Sequence, residues 1–306
     1  MNDMQGRPLP TTIPQYLEQL RDALRGADPA LVQDALYDAE EYLRAELAEQ
    51  SGRSEAEVIA SVAGSYGAPE EVADIYRQTE VTVNRALRPP RPPRQRSLAG
   101  RFFGVAADPY TYGALFYMLL SLATGVFYFS WVVAGATTSV SLLLLIIGVP
   151  LLLLLLMSVR LLSLVEGRIV EVLLGVRMPR RPLYTQRDKP WLTRIGELFT
   201  DGRTWTAMAY LLVMLPLGTA YFSGTVTLLA LSLSLLVAPL ALAFGWTGPG
   251  IYLEGLHFAL ADSWLSALIA FVTGIVLLFV TLHLARLVGR FHGWLAKHLL
   301  VRKPVV

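Results

Sequence analysis

Asp108-Pro-Tyr-Thr-Tyr-Gly-Ala-Leu-Phe-Tyr-Met-Leu-Leu-Ser-Leu-Ala-Thr-Gly-Val-Phe-Tyr-Phe-Ser130 returns later in the chain as Asp201-Gly-Arg-Thr-Trp-Thr-Ala-Met-Ala-Tyr-Leu-Leu-Val-Met-Leu-Pro-Leu-Gly-Thr-Ala-Tyr-Phe-Ser223. Asp, Thr, an aromatic, Ala, Tyr, Leu, Gly and Tyr-Phe-Ser recur in one order without a gap. Both stretches are largely apolar, so the repeat reads as a duplicated membrane unit whose working surface falls where the copies meet.

The repeat extends outward. Arg160 to Leu174 aligns with Arg286 to Leu300, and both segments are amphipathic, which predicts helices lying along the inner membrane surface. Upstream, Leu98, Arg101 and Phe102 correspond to Trp191, Arg194 and Ile195. Each unit reads as interfacial helix, span, span, interfacial helix, with repeat one at 98–178 and repeat two at 189–303. The apolar runs 113–133, 139–162, 205–224 and 264–285 are each long enough for a hydrocarbon core of about 30 Å. All 18 Lys and Arg beyond residue 88 lie in 91–101, 160–203 and 286–303. The positive-inside tendency makes those stretches cytoplasmic, puts both termini inside and makes the repeats parallel. Residues 225–246 are also apolar, but a fifth span would carry Arg286, Arg290 and Lys297 outside. They read as a membrane-embedded hairpin or outer interfacial helix broken near Pro239. An outer loop, 247–263, follows with Glu254, His257 and Asp262. The expected fold is all-α: a polytopic helical bundle of four spans behind an N-terminal soluble helical domain.

Composition agrees with a membrane protein: 54% of residues are hydrophobic and only 16% charged. The net charge of +2 conceals an acidic head, −8 over residues 1–88, joined to a basic body of +10 over 89–306. There are no cysteines, which excludes disulfides and thiolate chemistry. The first residues are polar and lack a signal peptide's apolar run, so the head is expected to stay in the cytoplasm. Residues 87–97, rich in proline and arginine, read as an extended spacer near anionic headgroups.

Four helices are expected in 13–86. Pro14 opens the first, Asp28 caps the second ahead of Pro29, Ser54 and Glu57 form a capping box, and Pro69-Glu70-Glu71 opens the fourth. The acidic run Asp34, Asp38, Glu40, Glu41, Glu46 and Glu49 reads first as a solvated helix face. Its other reading is a docking face for a basic partner, or for this protein's own basic cytoplasmic rim. Gln15-Tyr16-Leu17 with Leu20 and Leu24, Asp38-Ala39-Glu40-Glu41-Tyr42, and Gly67-Ala68-Pro69-Glu70-Glu71-Val72-Ala73 together resemble the HAAS domain, a helical module of bacterial membrane proteins associated with signalling regulators. Residues 96–300 resemble the sensor domain that forms the membrane input of some histidine kinases. Asp108-Pro-Tyr-Thr-Tyr, Gly148-Val-Pro-Leu, Glu166-Gly-Arg168, Leu173-Leu-Gly-Val and the copy from Asp201 to Ser223 carry this likeness. No histidine-phosphorylation helix or ATP lid accompanies it, so kinase activity is not implied.

Candidate residues follow from the repeat. Asp108 and Asp201 read as caps of the spans they precede, and a pairing with Arg101 and Arg194 would hold the inner rim. Thr111, Ala114, Tyr117, Ser121, Gly125 and Tyr128 share a face, matched by Thr204, Ala207, Tyr210, Met214, Gly218 and Tyr221. Such a stripe reads as a helix–helix interface in lipid, or as the lining of a cleft for a lipid tail or small apolar signal. No charged residue is expected at mid-depth, which disfavours ion-coupled transport. His283, His292 and His298 read as interfacial. His257 with Glu254 and Asp262 offers a second reading, an outer metal-binding or pH-sensing group. No nucleotide-binding, zinc-protease or nucleophile-elbow motif is present. The expected function is non-enzymatic, with no cofactor or metal: an inner-membrane sensor that passes a membrane or envelope condition through its head to a transcription regulator or histidine kinase. Membrane lipids are the other expected partner, nucleic acid is not, and homo-oligomerisation stays open. The alternatives are a lipid or small-molecule transporter, an accessory subunit, or a scaffold.

Overall fold

A computed structural model describes residues 10–50, 52–87, 97–181, 191–245, 250–253, 256–259 and 263–301. They fall into two compact units. The first gathers residues 1–90, 177–203 and 300–306; the second holds 91–176 and 204–299. The spacer reading of 87–97 lies almost wholly outside the described residues.

The first unit contains α1 (Ile13–Ala23), α2 (Pro29–Glu49), α3 (Glu55–Ser65), α4 (Pro69–Leu87) and, from the later segment, α8 (Trp191–Thr200). The helices start where their caps dictate. Thr12 accepts from the Gln15 N–H, Asp28 from Ala30, and Ser54 and Glu57 cap reciprocally. Tyr16 and Leu20 of α1 and Leu24 just past its end close a core with Ala35 and Leu43 of α2, Val58, Ile59 and Val62 of α3, and Val72 of α4. The Tyr16 hydroxyl donates to the Gly67 carbonyl at 2.8 Å, satisfying the buried end of an otherwise apolar side chain. Gly67 has φ +114°, a region that favours glycine, and so supplies the turn between α3 and α4.

The second unit runs from α5 (Leu98–Phe103) through a 3₁₀ turn to α6 (Pro109–Ser141). It continues with α7 (Gly148–Leu174), α9 (Gly202–Ala243), a hairpin of β1 (Gly250–Leu253) and β2 (Leu256–Ala259), and α10 (Trp264–Leu300). Four of these segments are long and apolar enough to cross a membrane: Pro109–Leu145, Gly148–Leu174, Gly202–Ala243 and Trp264–Leu300. Their outer faces leave large apolar side chains exposed, among them Phe116, Trp131, Leu154, Trp205, Leu265 and Ile269. Such a surface would drive aggregation in water and is at rest in lipid.

Two expectations need correction. The segments beginning at Arg160 and Arg286 do not form separate surface helices; they continue α7 and α10 without interruption. Nor does the chain break near Pro239, because α9 runs unbroken through Pro216 and Pro239 for 42 residues. A proline removes one helical hydrogen bond, but neighbouring helices can offset that loss in membrane proteins. Here Leu235 and Ala238 pack against Ala270 of α10 around the proline. The second copy's extra length is therefore helix first, and only then the β-hairpin.

Helices α6 and α9 cross on a pair of repeat-equivalent glycines. A Cβ on Gly125 would strike the Met214 carbonyl oxygen, and one on Gly218 would strike the Ser121 carbonyl oxygen. Met214 and Ser121 are themselves repeat equivalents, so the contact is reciprocal, and only glycine lets the backbones approach this closely. Gly125→Val and Gly218→Val should each lower stability in detergent by about 1–3 kcal/mol or more through overpacking. Gly224→Ala, whose Cβ would meet open space, should stay within about 0.5 kcal/mol of the parent. Thermal unfolding of the three variants decides the point; equal midpoints would reject the crossing.

Candidate functional site

The tyrosine stripe of each copy ends in one buried polar cluster. Tyr117 and Tyr128 come from α6, Tyr210 and Tyr221 from α9, Glu166 from α7 and His292 from α10. Glu166, Tyr117, Tyr210 and His292 are between 0% and 1% exposed. Tyr117 donates to Glu166 Oε1 at 2.6 Å, Tyr210 donates to the same oxygen at 3.1 Å, and Tyr128 donates to Oε2 at 3.0 Å. His292 Nε2 lies 2.5 Å from the Tyr117 hydroxyl and 2.8 Å from that of Tyr210.

Proton counting fixes the polarity of this ring. Each phenol has one proton, and all three give it to Glu166. The oxygens of Tyr117 and Tyr210 are then left only as acceptors toward His292, so Nε2 carries a hydrogen and donates. Nδ1 of His292 and the Tyr221 hydroxyl are buried with no hydrogen-bond partner among the described residues, although the Tyr221 ring meets the His292 ring edge-on at 5.7 Å. A bare Nδ1 lone pair is the tautomer that Nε2 donation requires. One residue from each of α7 and α10 and the paired tyrosines of α6 and α9 thus tie all four long helices into one network.

The helix starts are gripped crosswise. Asp108 and Asp201 cap as expected, accepting from the N–H of Tyr110 and of Arg203, each at 3.1 Å. Asp108 also forms an ion pair with Arg286 of the second copy. Arg160 of the first copy donates to Thr204 Oγ1 of the second, at 3.0 Å from Nε and 2.9 Å from Nη2. Arg160 and Arg286 are repeat equivalents, so the end of each copy holds the beginning of the other. The side chains of Arg101 and Arg194, expected at this rim, lie outside the described residues. Thr111 is fully buried and its hydroxyl has no partner among the described residues.

The stripe positions Thr111, Ala114, Tyr117, Ser121, Gly125 and Tyr128 are buried, and so are Thr204, Ala207, Tyr210, Met214, Gly218 and Tyr221. At Gly125 and Gly218 the two stripes meet backbone to backbone. Glu254 and Asp262 lie outside the described residues. His257 is placed only by its backbone, opposite Tyr252 in the hairpin. Among the described residues no group of three or more His, Cys, Asp or Glu side chains could hold a metal ion.

Sequence reading missed the two residues that complete the cluster. His292 was expected at the membrane surface and Glu166 on an amphipathic face; both are interior. The signal was present, since the repeat alignment sets Glu166 opposite His292 just as it sets Tyr117 opposite Tyr210.

Within the first unit, the head holds a second polar site. Residues 177–181, which follow α7 after two intervening residues, lie across α2. Asp34 Oδ1 accepts from the backbone N–H of Arg180 at 2.7 Å and of Arg181 at 2.9 Å, and Oδ2 pairs with Arg177 at 2.9 Å. Burial pushes the Asp34 carboxyl above the ordinary carboxylate range, against the opposite pull of these two N–H groups and of Arg177. The acidic face of α2 is thus partly occupied by the protein's own basic segment, the second of its two readings.

Removing hydroxyls should rank the cluster. Tyr117→Phe, which strips both Glu166 and His292 of a partner, should cost about 1–3 kcal/mol, and Tyr128→Phe less. Tyr221→Phe should be neutral or slightly stabilising, because it removes an unpaired group. Thermal melts of the purified variants test the order, and a Tyr221→Phe loss as large as that of Tyr117→Phe would contradict it.

A family model described as "Putative sensor" matches residues 117–300, and the HAAS family model matches residues 15–74. No curated protein and no solved structure matches the chain.

Proposed function

This chain belongs to the Sensor family, and from that premise we propose that it reports the state of its membrane body to a cytoplasmic regulator through the HAAS head. Sensor and HAAS matches in one chain mark a membrane signalling role; the relay is our reading. One observation carries it. The segment that continues α7 beyond Glu166 is the segment the head grips through Asp34.

The proposed sequence is mechanical. A membrane condition that favours another packing of the four long helices must rearrange the Tyr117–Glu166–Tyr210–His292 ring, because that ring joins all four. Movement of α7 then pulls on residues 177–181, and the head reads the pull. We place the protein in the plasma membrane with the head and both termini in the cytoplasm, on the distribution of Lys and Arg. The close backbone approach at Gly125 and Gly218, between the tyrosines of the two stripes, supports a sensor over a transporter. The head's charge of −8 opposes direct nucleic-acid binding.

The relay is tested by hydrogen exchange on the full chain in nanodiscs. Glu166→Ala should speed exchange of the Arg180 and Arg181 amides at least several-fold while leaving α1 to α4 protected. Unchanged exchange would reject coupling through α7. Topology has its own test, helped by the absence of cysteine. An impermeant maleimide should label Ser263→Cys in intact cells, and Arg25→Cys only after permeabilisation. Labelling of Arg25→Cys from outside would sink the orientation.

A further inference from the structure

The contact between α2 and residues 177–181 has the anatomy of a peptide-binding groove with its ligand in place. The ligand backbone is read at three points. Asp34 takes the two consecutive N–H groups of Arg180 and Arg181, and Gln33 Nε2 donates to the Arg181 carbonyl at 2.7 Å. The ligand side chains are read at two more. Arg177 sits between Asp34 and Glu80, its Nε 3.3 Å from Glu80 Oε1. Arg181 meets Asp38 at 3.1 Å and lies over the Tyr37 ring, its guanidinium carbon 5.5 Å from the ring centre. Tyr76 of α4 holds Asp38 from behind, donating to Oδ2 at 2.9 Å. Gln33, Asp34, Tyr37 and Asp38 form one face of α2, so the groove is built into a rigid helix.

We propose that this groove is a receptor for short arginine-bearing segments that bend as residues 177–181 do, and that a cytoplasmic partner engages the head by inserting such a segment in place of residues 177–181. The backbone contacts accept a chain that bends at the positions of Arg180 and Arg181, turning two consecutive N–H groups to one side, while the two arginine positions, four residues apart, set the specificity. Pro179 between them fixes one backbone dihedral of the bound segment. Arginine suits the sites better than lysine, because a planar guanidinium can stack on Tyr37 while bonding Asp38.

The cis segment is a tethered competitor whose effective concentration is on the order of millimolar. A partner therefore gains access when the tethered segment is withdrawn or when its own segment binds more tightly. This deepens the relay reading and rests on it for the partner's role. The groove's chemistry can be tested without it.

The test uses the full chain in detergent and a fluorescent synthetic peptide with the sequence of residues 175–183. Arg177→Glu with Arg181→Glu should vacate the groove. The peptide should bind that variant at least tenfold more tightly than it binds the wild type. Asp34→Ala in the vacated background should remove most of that binding, and a peptide with lysine at both arginine positions should bind several-fold more weakly. A measurement on the unmodified protein guards against a misfolded variant: excess peptide should speed hydrogen exchange of the tethered 177–181 amides. Equal binding to vacated and wild-type chains, binding indifferent to Asp34→Ala or to lysine replacement, or no binding together with unchanged exchange would each overturn the proposal.

Discussion

A carboxyl group removed from water inside a helical bundle has to find a hydrogen-bond donor for each lone pair it turns inward. Glu166 meets that demand with three phenols drawn from two helices, and the demand organises the rest. Two of those phenols must also accept a hydrogen from His292, which brings in the fourth helix. The glycines at 125 and 218 let the α6 and α9 backbones close until Tyr117 and Tyr210 reach the same oxygen. Arg160 and Arg286 hold the ends of the same helices from the other copy. Each device makes sense as a way of keeping one buried acid fully partnered.

Buried polar networks specify geometry more than they add stability, because a displaced member leaves its partners unsatisfied. Apolar packing in lipid tolerates small slips of one helix along another, since lipid tails are as apolar as the side chains. A ring of hydrogen bonds between 2.5 and 3.1 Å does not. For the proposed sensor this matters, because a bundle held by such a ring would shift between discrete arrangements rather than slide continuously. The Asp34 contact in the head is of another kind. Its burial raises the carboxyl pKa in the docked state, so the carboxylate form is strained there. Burial costs more as pH rises through the raised value, while the Arg180 and Arg181 N–H groups and Arg177 favour the carboxylate and oppose that cost. An interaction held at partial cost is one that a competitor can displace.

Much of this was legible in the sequence. The head's helices begin at the caps its Ser54–Glu57 and Asp28–Pro29 patterns announce, and the four spans follow from apolar runs and charge-free intervals. The tyrosine stripe was legible because local periodicity and the repeat agree. What escaped involved partners far apart in the chain. Asp108 pairs with Arg286 of the other copy, a contact that local spacing does not announce. Glu166 and His292 lie on segments whose average polarity mimics a surface helix, and only their cross-copy partners bury them. Pro239 signals a break by local rules that packing against Ala270 overrides.

The duplication also explains why the centre of the bundle is asymmetric. In a strictly symmetric pair the position now held by Glu166 and His292 would carry two acids or two bases. Two carboxylates facing the same pair of tyrosines would repel. Two histidines would leave the phenols without an anionic acceptor. One acid and one base share the phenols between them, with donors running from His292 through the tyrosines to Glu166. The copies had to diverge at this position for the fused chain to close its own core. In the proposed relay the divergence gives the ring a direction: a push on α10 would reach α7 through the shared phenols, and α7 is the helix that leads into the segment held by the head.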